Sequence, residues 1–262
     1  MAQQHEQSPN ANAPHQRVRL FDTIRGFSVV SMVLFHFYYD LVFLIGVVPT
    51  SAFFTLAVDI WRASISWTFL VIAGAMCTFS RNNFKRAAIY GSVALAIFIV
   101  TSLIDKSVEI SFGIIYCMAA CTLVAAVLMK LSFSPKGYGW AAAFFIVFLI
   151  LLKLPSGTIS VFGMELLRIP RGVYESGWLS WLGLPGVDFM SADYYPLLPY
   201  LFLYLAGWSL GLTWKQSGYT QSFWGFSLAP LEFIVVHALP VYVLHQPILL
   251  AISQLVLLAV GR

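Results

Sequence analysis

Charge is what this chain of 262 residues has least of. Asp, Glu, Lys and Arg make up 10% of it, against 60% hydrophobic residues and a mean hydropathy of +0.82. Soluble domains carry about 25% charged residues, so this scarcity excludes a soluble globular fold and leaves a polytopic membrane protein. Cysteine is scarce too. Cys77, Cys117 and Cys121 lie inside apolar segments, without the spacing of a metal site or a disulfide framework, and read as small core residues with no metal. The first 16 residues, MAQQHEQSPNANAPHQ, lack both a basic n-region and an apolar stretch. They read as a disordered cytoplasmic tail, not a signal peptide. No soluble run is long enough for a second domain, so residues 17–262 read as a single transmembrane domain. The net charge is +4 and the pI about 9.0. The basic residues sit in short loops between apolar segments, where they set topology and do not indicate nucleic acid.

What the chain does have is apolar length. A spanning helix needs about 20 mostly apolar residues. About seven segments qualify, near 24–48, 62–80, 86–104, 111–131, 138–154, 195–213 and 231–260. The expected fold class is all-α, a helical bundle in a lipid bilayer. A cytoplasmic N-terminus places nine Lys and Arg inside (Arg17, Arg19, Arg25, Arg81, Lys85, Arg86, Lys130, Lys136, Lys215) and six outside, in line with the positive-inside rule. Gly207 and Gly211, four apart, form a small-residue face for packing within the monomer or in a homodimer. The loop 155–194 carries Trp178 and Trp181 and is expected at the outer interface or dipping into the bundle. Its Arg168, Arg171, Asp188 and Asp193 are either substrate contacts or solvated charges. The last segment would reach about 45 Å as one helix, against a hydrocarbon core of about 30 Å. Pro240 and Pro247 predict that it is broken, with His237, Tyr242, His245 and Gln246 near the breaks.

The chemistry-bearing residues begin in RLFDTIRGFSVVSMVLFHFYYD, residues 19–40. His36 lies eleven residues past Arg25, about 16 Å along a helix. Asp40 follows His36 at i+4 on the same face, where a carboxylate can fix the imidazole tautomer for a general base, or simply tie helices together. Ionisable groups at this depth are costly and need partners. Asp22 and Arg25 can pair at i,i+3, while Arg25 beside Gly26 also suits a phosphate. His245 and His237 share one segment, which does not fit a haem ligated from two helices. A proton-coupled small-solute transporter would also use intramembrane His and Asp, but the chain shows no repeated halves with matching interruptions. A non-catalytic membrane subunit is the third reading.

These residues carry a resemblance. Asp22-Thr-Ile-Arg25-Gly26 with Met32 and His36 resembles the first helix of the heparan-α-glucosaminide N-acetyltransferase catalytic domain and its bacterial relatives. It is also similar to the acyltransferase-3 family, marked by an arginine, ten residues and a histidine. Phe69-Leu-Val-Ile-Ala-Gly74, Ser111-Phe-Gly113-Ile-Ile-Tyr116-Cys-Met-Ala, Asp193-Tyr-Tyr-Pro196-Leu-Leu-Pro199 and His237, Tyr242, His245-Gln246-Pro247 continue it in order. The chain departs from the pattern at Tyr116, where histidine is frequent, and at Val235-Val236, where Gly-Arg is. Residues 46–60 contain no histidine, so an acetyl-histidine mechanism does not carry over.

The resemblance implies a bacterial cytoplasmic-membrane acyltransferase that moves an acetyl group from acetyl-CoA to an amino or hydroxyl group of a sugar or glycan on the outer side. It implies catalysis by His36, with Asp40, His245 and Tyr242. Donor binding falls to Arg25, Gly26, Asp22, Arg81 and Arg86, and acceptor contacts to Asp193, Tyr194, Tyr116 and His237.

Overall fold

The structure is a computed structural model that describes residues 18–161, 164–218 and 224–259; the tail 1–16, Arg17 and Arg262 lie outside the described residues. It is a helical bundle: α1 (Arg19–Phe43), α2 (Leu56–Met76), α3 (Asn83–Ile104), α4 (Ile114–Lys130), α5 (Tyr138–Leu151), α6 (Leu197–Ser217), α7 (Ala229–Val236) and α8 (Ala238–Ala259). Six of the described helices are long and apolar enough to cross a membrane, and α4 is a shorter apolar one. The chain is a multi-pass membrane protein.

Local chemistry shifts the helix ends from where hydropathy alone puts them. The apolar run of α1 continues to Val48, but the helix stops at Phe43, because Gly46 takes a left-handed φ of 71° and Pro49 follows. The next helix, α2, starts at Leu56, six residues before the strongly apolar run. Thr55 caps it by accepting from the Val58 amide at 3.4 Å, and Asp59 and Arg62 pair on its exposed first turns at 3.0 Å. Asn82 caps α3 in the same way, accepting from the Lys85 amide at 2.9 Å.

The core lies between α2, α4, α5 and α6, where Leu70, Cys117, Phe148, Tyr204 and Trp208 are buried. All three cysteines are buried there and free of disulfides. The backbones of α2 and α6 meet directly. A Cβ at Gly207 would run into the Val71 carbonyl, one at Gly211 into the Ala75 carbonyl, and one at Gly74 into the Tyr204 carbonyl. The Gly207–Gly211 face is therefore used within the monomer. The other extreme is α3, with Leu95, Ile99, Val100 and Leu103 exposed, as fits a lipid-facing helix.

The last segment breaks as expected. The break falls at His237 (φ −107°, ψ 18°) because Pro240 has no N–H for the Val236 carbonyl and its ring would crowd that turn. Pro247 stays inside α8. The long loop is more ordered than its sequence suggests. Strands β1 (Thr158–Val161) and β2 (Met164–Arg168) pair antiparallel in it.

Gly207→Leu is expected to force α6 away from α2 at a cost of about 1–3 kcal/mol or more. Thermal unfolding in detergent should show a lowered Tm. Gly139→Ala, at a position with open space around it, should leave Tm within error or raise it.

Candidate active site

Two histidines meet at the centre of the interface between α1 and α8. The Nδ1 of His36 lies 2.9 Å from the Met32 carbonyl, and that of His245 lies 2.7 Å from the Tyr242 carbonyl. A carbonyl only accepts, so in each neutral ring Nδ1 carries the proton and Nε2 keeps its lone pair. The rings sit edge to face, with centroids 4.6 Å apart and planes at 75°. Two imidazoles thus share one place, each with an Nε2 lone pair left free by the backbone hydrogen bond at Nδ1, that of His245 buried.

The expected hydrogen bond between Asp40 and His36 does not form. His36 is engaged by the Met32 carbonyl, and Asp40 turns to α8. There its Oδ1 accepts from Gln246 Nε2 at 3.3 Å. Asp40 is 1% exposed. Its Oδ2, together with His245 Nε2 and Gln246 Oε1, is buried with no hydrogen-bond partner among the described residues. Unpaired polar atoms are costly inside a membrane. Three of them, on adjoining side chains next to the histidine pair, mark a place where a polar guest would be stabilised.

The loop before α6 is tied to the start of α4. Asp193 Oδ2 accepts from the Ile114 amide at 3.0 Å and so caps α4. Ser191 Oγ donates to the Ser111 carbonyl, and the Tyr195 amide to the Phe112 carbonyl. Burial pushes the Asp193 carboxyl up, while the Ile114 amide pulls it down. Burial pushes the Tyr195 phenol up to about 12, with the Asp193 charge adding to it. Tyr242 packs onto the core beside His245, ring centroids 5.8 Å apart.

Other sequence candidates lie elsewhere. Tyr194 donates to the Ser180 carbonyl at 2.6 Å and holds the outer loop together. Tyr116 is half-buried and stacks edge-on against Phe112 at 5.0 Å. His237 is exposed at the α7–α8 break, with Nδ1 3.1 Å from the Phe233 carbonyl, and does not join the cluster. Gln246 is the residue whose part the sequence understated; the only signal was a polar side chain set between two intramembrane prolines.

The basic end of the bundle also divides. Arg25 lies 3.7 Å from Asp22 and 3.6 Å from Met76 Sδ, with a quarter of its side chain exposed. Gly26 lets the Leu231 backbone approach α1, so its small size serves helix packing. Arg86 turns inward, donating to the Ala73 carbonyl at 3.2 Å and to the Tyr90 hydroxyl at 3.3 Å. Asn83 donates to the Cys77 carbonyl and Lys215 to the Thr78 carbonyl, each at 2.9 Å. Together they satisfy the C-terminal carbonyls of α2. Arg86 is therefore a poor phosphate ligand, contrary to the sequence expectation, while Arg81 and Lys85 stay exposed.

Among known families, the model described as heparan-alpha-glucosaminide N-acetyltransferase, catalytic, matches residues 17–247. No significant match was found to a curated protein or to a solved structure. The division of the basic residues can be tested without any substrate. Arg86→Gln should lower Tm, because leaving the Ala73 carbonyl unpaired costs about 1–3 kcal/mol. Arg81→Gln should change stability by less than about 0.5 kcal/mol.

Proposed function

We propose, because the chain belongs to the heparan-α-glucosaminide N-acetyltransferase catalytic-domain family, that it transfers an acetyl group from acetyl-CoA to an amino or hydroxyl group of a sugar acceptor. The observation that carries this reading is the His36–His245 pair, with bare Nε2 atoms next to the unpaired Asp40 and Gln246 oxygens.

In this reading His36 Nε2 takes the proton from the acceptor N–H or O–H as that atom bonds to the thioester carbonyl carbon. The C–S bond breaks, the sulfur leaves as thiolate, and the imidazolium returns a proton to it. His245 keeps the same tautomer beside it and can serve as the second base. Gln246, held by Asp40, presents the amide that steadies charge on the carbonyl oxygen, with Tyr242 as the nearby phenol. The donor's phosphates fit Arg25 with Arg81 and Lys85, since Met76 joins Arg25 to the α2 end of that loop. Arg86 leaves this set. Arg25 and His36 are about 16 Å apart along α1, a distance that suits a long donor reaching inward. The Lys and Arg distribution supports a cytoplasmic N-terminus in a bacterial cytoplasmic membrane, with the donor entering on that side.

With purified protein and radiolabelled acetyl-CoA, His36→Ala should lower transfer by about 10²-fold or more, with Tm retained. Arg25→Gln should raise the acetyl-CoA KM with less effect on kcat. Undiminished transfer in His36→Ala, or a wild-type Tm unmoved by acetyl-CoA, would contradict the reading.

A further inference from the structure

The contact between α1 and α8 holds an acidic group with no cation beside it. Asp40 is buried inside a membrane-spanning helix. Among the described residues, no Lys, Arg or His forms an ion pair with it. Three helices pack on α1. Of these, α2 carries Asp59 and Arg62, which pair with each other, and α7 carries Glu232, which pairs with Arg19. On α8 there is no Lys, Arg, Asp or Glu, and its titratable groups are Tyr242 and His245. On α1 itself Arg25 lies on Asp22, and His36 gives its Nδ1 to the Met32 carbonyl. A carboxylate buried without a cation is far costlier than the neutral acid.

The hydrogen bonds make the same demand. Gln246 Nε2 donates to Asp40 Oδ1 at 3.3 Å, while Asp40 Oδ2 and Gln246 Oε1 are both buried and unpaired. Carboxyl and carboxamide are planar forks, and the existing bond matches one prong of each, N–H to oxygen. What remains on both is oxygen, and two acceptors cannot bond to each other. One proton on Oδ2 turns it into a donor that Oε1 can accept, which closes a second bond between the same two groups. A proton occupies no cavity, so it suits the packed interior as it stands.

We propose that Asp40 is a neutral carboxylic acid at neutral pH, joined to Gln246 by two hydrogen bonds, and that it positions the Gln246 amide for acetyl transfer. The second bond consumes Oε1. The amide is then held against turning over, and what it has left to offer is the N–H that does not face Asp40. A developing oxyanion is stabilised by that donor and would be repelled by Oε1 in its place. An acid kept neutral by its surroundings so that it can donate is an established device of active sites. The positioning role rests on the acetyl-transfer reading; the proton and the paired hydrogen bonds do not. The Asp40 proton stays in place throughout the reaction.

The test uses full-length protein in phospholipid vesicles at neutral pH. The infrared difference spectrum of wild type minus Asp40→Asn should show the carbonyl stretch of a protonated carboxyl group. Asp40→Leu, which leaves Gln246 without its partner, should lower kcat about tenfold or more with less change in acetyl-CoA KM. Asp40→Asn keeps the neutral acid's pattern of one donor and one acceptor, and should recover kcat about tenfold over Asp40→Leu. A difference spectrum without the protonated-carboxyl band overturns the proposal, because Asp40 is then ionised. An Asp40→Asn variant no better than Asp40→Leu also overturns it, because the charge is then what matters. If Asp40→Leu does not fold, the band alone decides the proton. A band from a protein that transfers no acetyl group removes the acetyl-transfer reading, and the positioning role with it, while the acid–amide pair stands.

Discussion

Everything at the centre of this molecule depends on α1 meeting the broken C-terminal arm. His36 alone is a polar residue on a membrane helix, and His245 another. They become one site because α7 approaches the α1 backbone at Gly26 and Arg19 pairs with Glu232 at 2.9 Å. The break at Pro240 then re-aims the chain, so that Gln246 reaches Asp40. The Gln246–Asp40 bond is the polar tie beside the histidines. In a low-dielectric interior such a bond is worth keeping mainly because leaving both groups unpaired is so costly.

The same accounting separates scaffold from site. Elsewhere in the bundle, polar side chains meet backbone groups that helix ends leave open: Arg86, Asn83 and Lys215 on the end of α2, Asp193 on the start of α4. These contacts fix helix ends, and of their atoms Asn83 Oδ1 stays buried and unpaired. Around His36 such unpaired atoms gather. Asp40, His245 and Gln246 each make one hydrogen bond or none through an atom that could make more, and each leaves a buried atom unpaired. Asn83 Oδ1, Ser102 Oγ, Trp208 Nε1 and Ser253 Oγ are buried and unpaired as well, so the clustering of three such atoms, not their occurrence, sets the site apart.

The helices were legible in the sequence because apolar runs of membrane length permit little else. Their ends were not, since hydropathy continues past Phe43 and cannot see that Gly46 turns left-handed or that Thr55 caps α2. The hairpin was hidden because Met164, Leu166 and Leu167 are apolar yet exposed. His36, Asp40 and His245 stood out as costly residues in apolar surroundings. Their pairing did not, because local spacing cannot show a competing partner supplied by another helix. The true partner of Asp40 is 206 residues away. Arg86 was readable as a cation; its employment by the Ala73 carbonyl was not.

The central claim is that His36 and His245 act as one unit in acetyl transfer. A double-mutant cycle with His36→Gln and His245→Gln, read as kcat/KM, tests it most directly. The account predicts that the double variant loses little more than the worse single variant. Losses that simply multiply, or a His245→Gln enzyme with unchanged kcat/KM, would show two histidines that touch without working together.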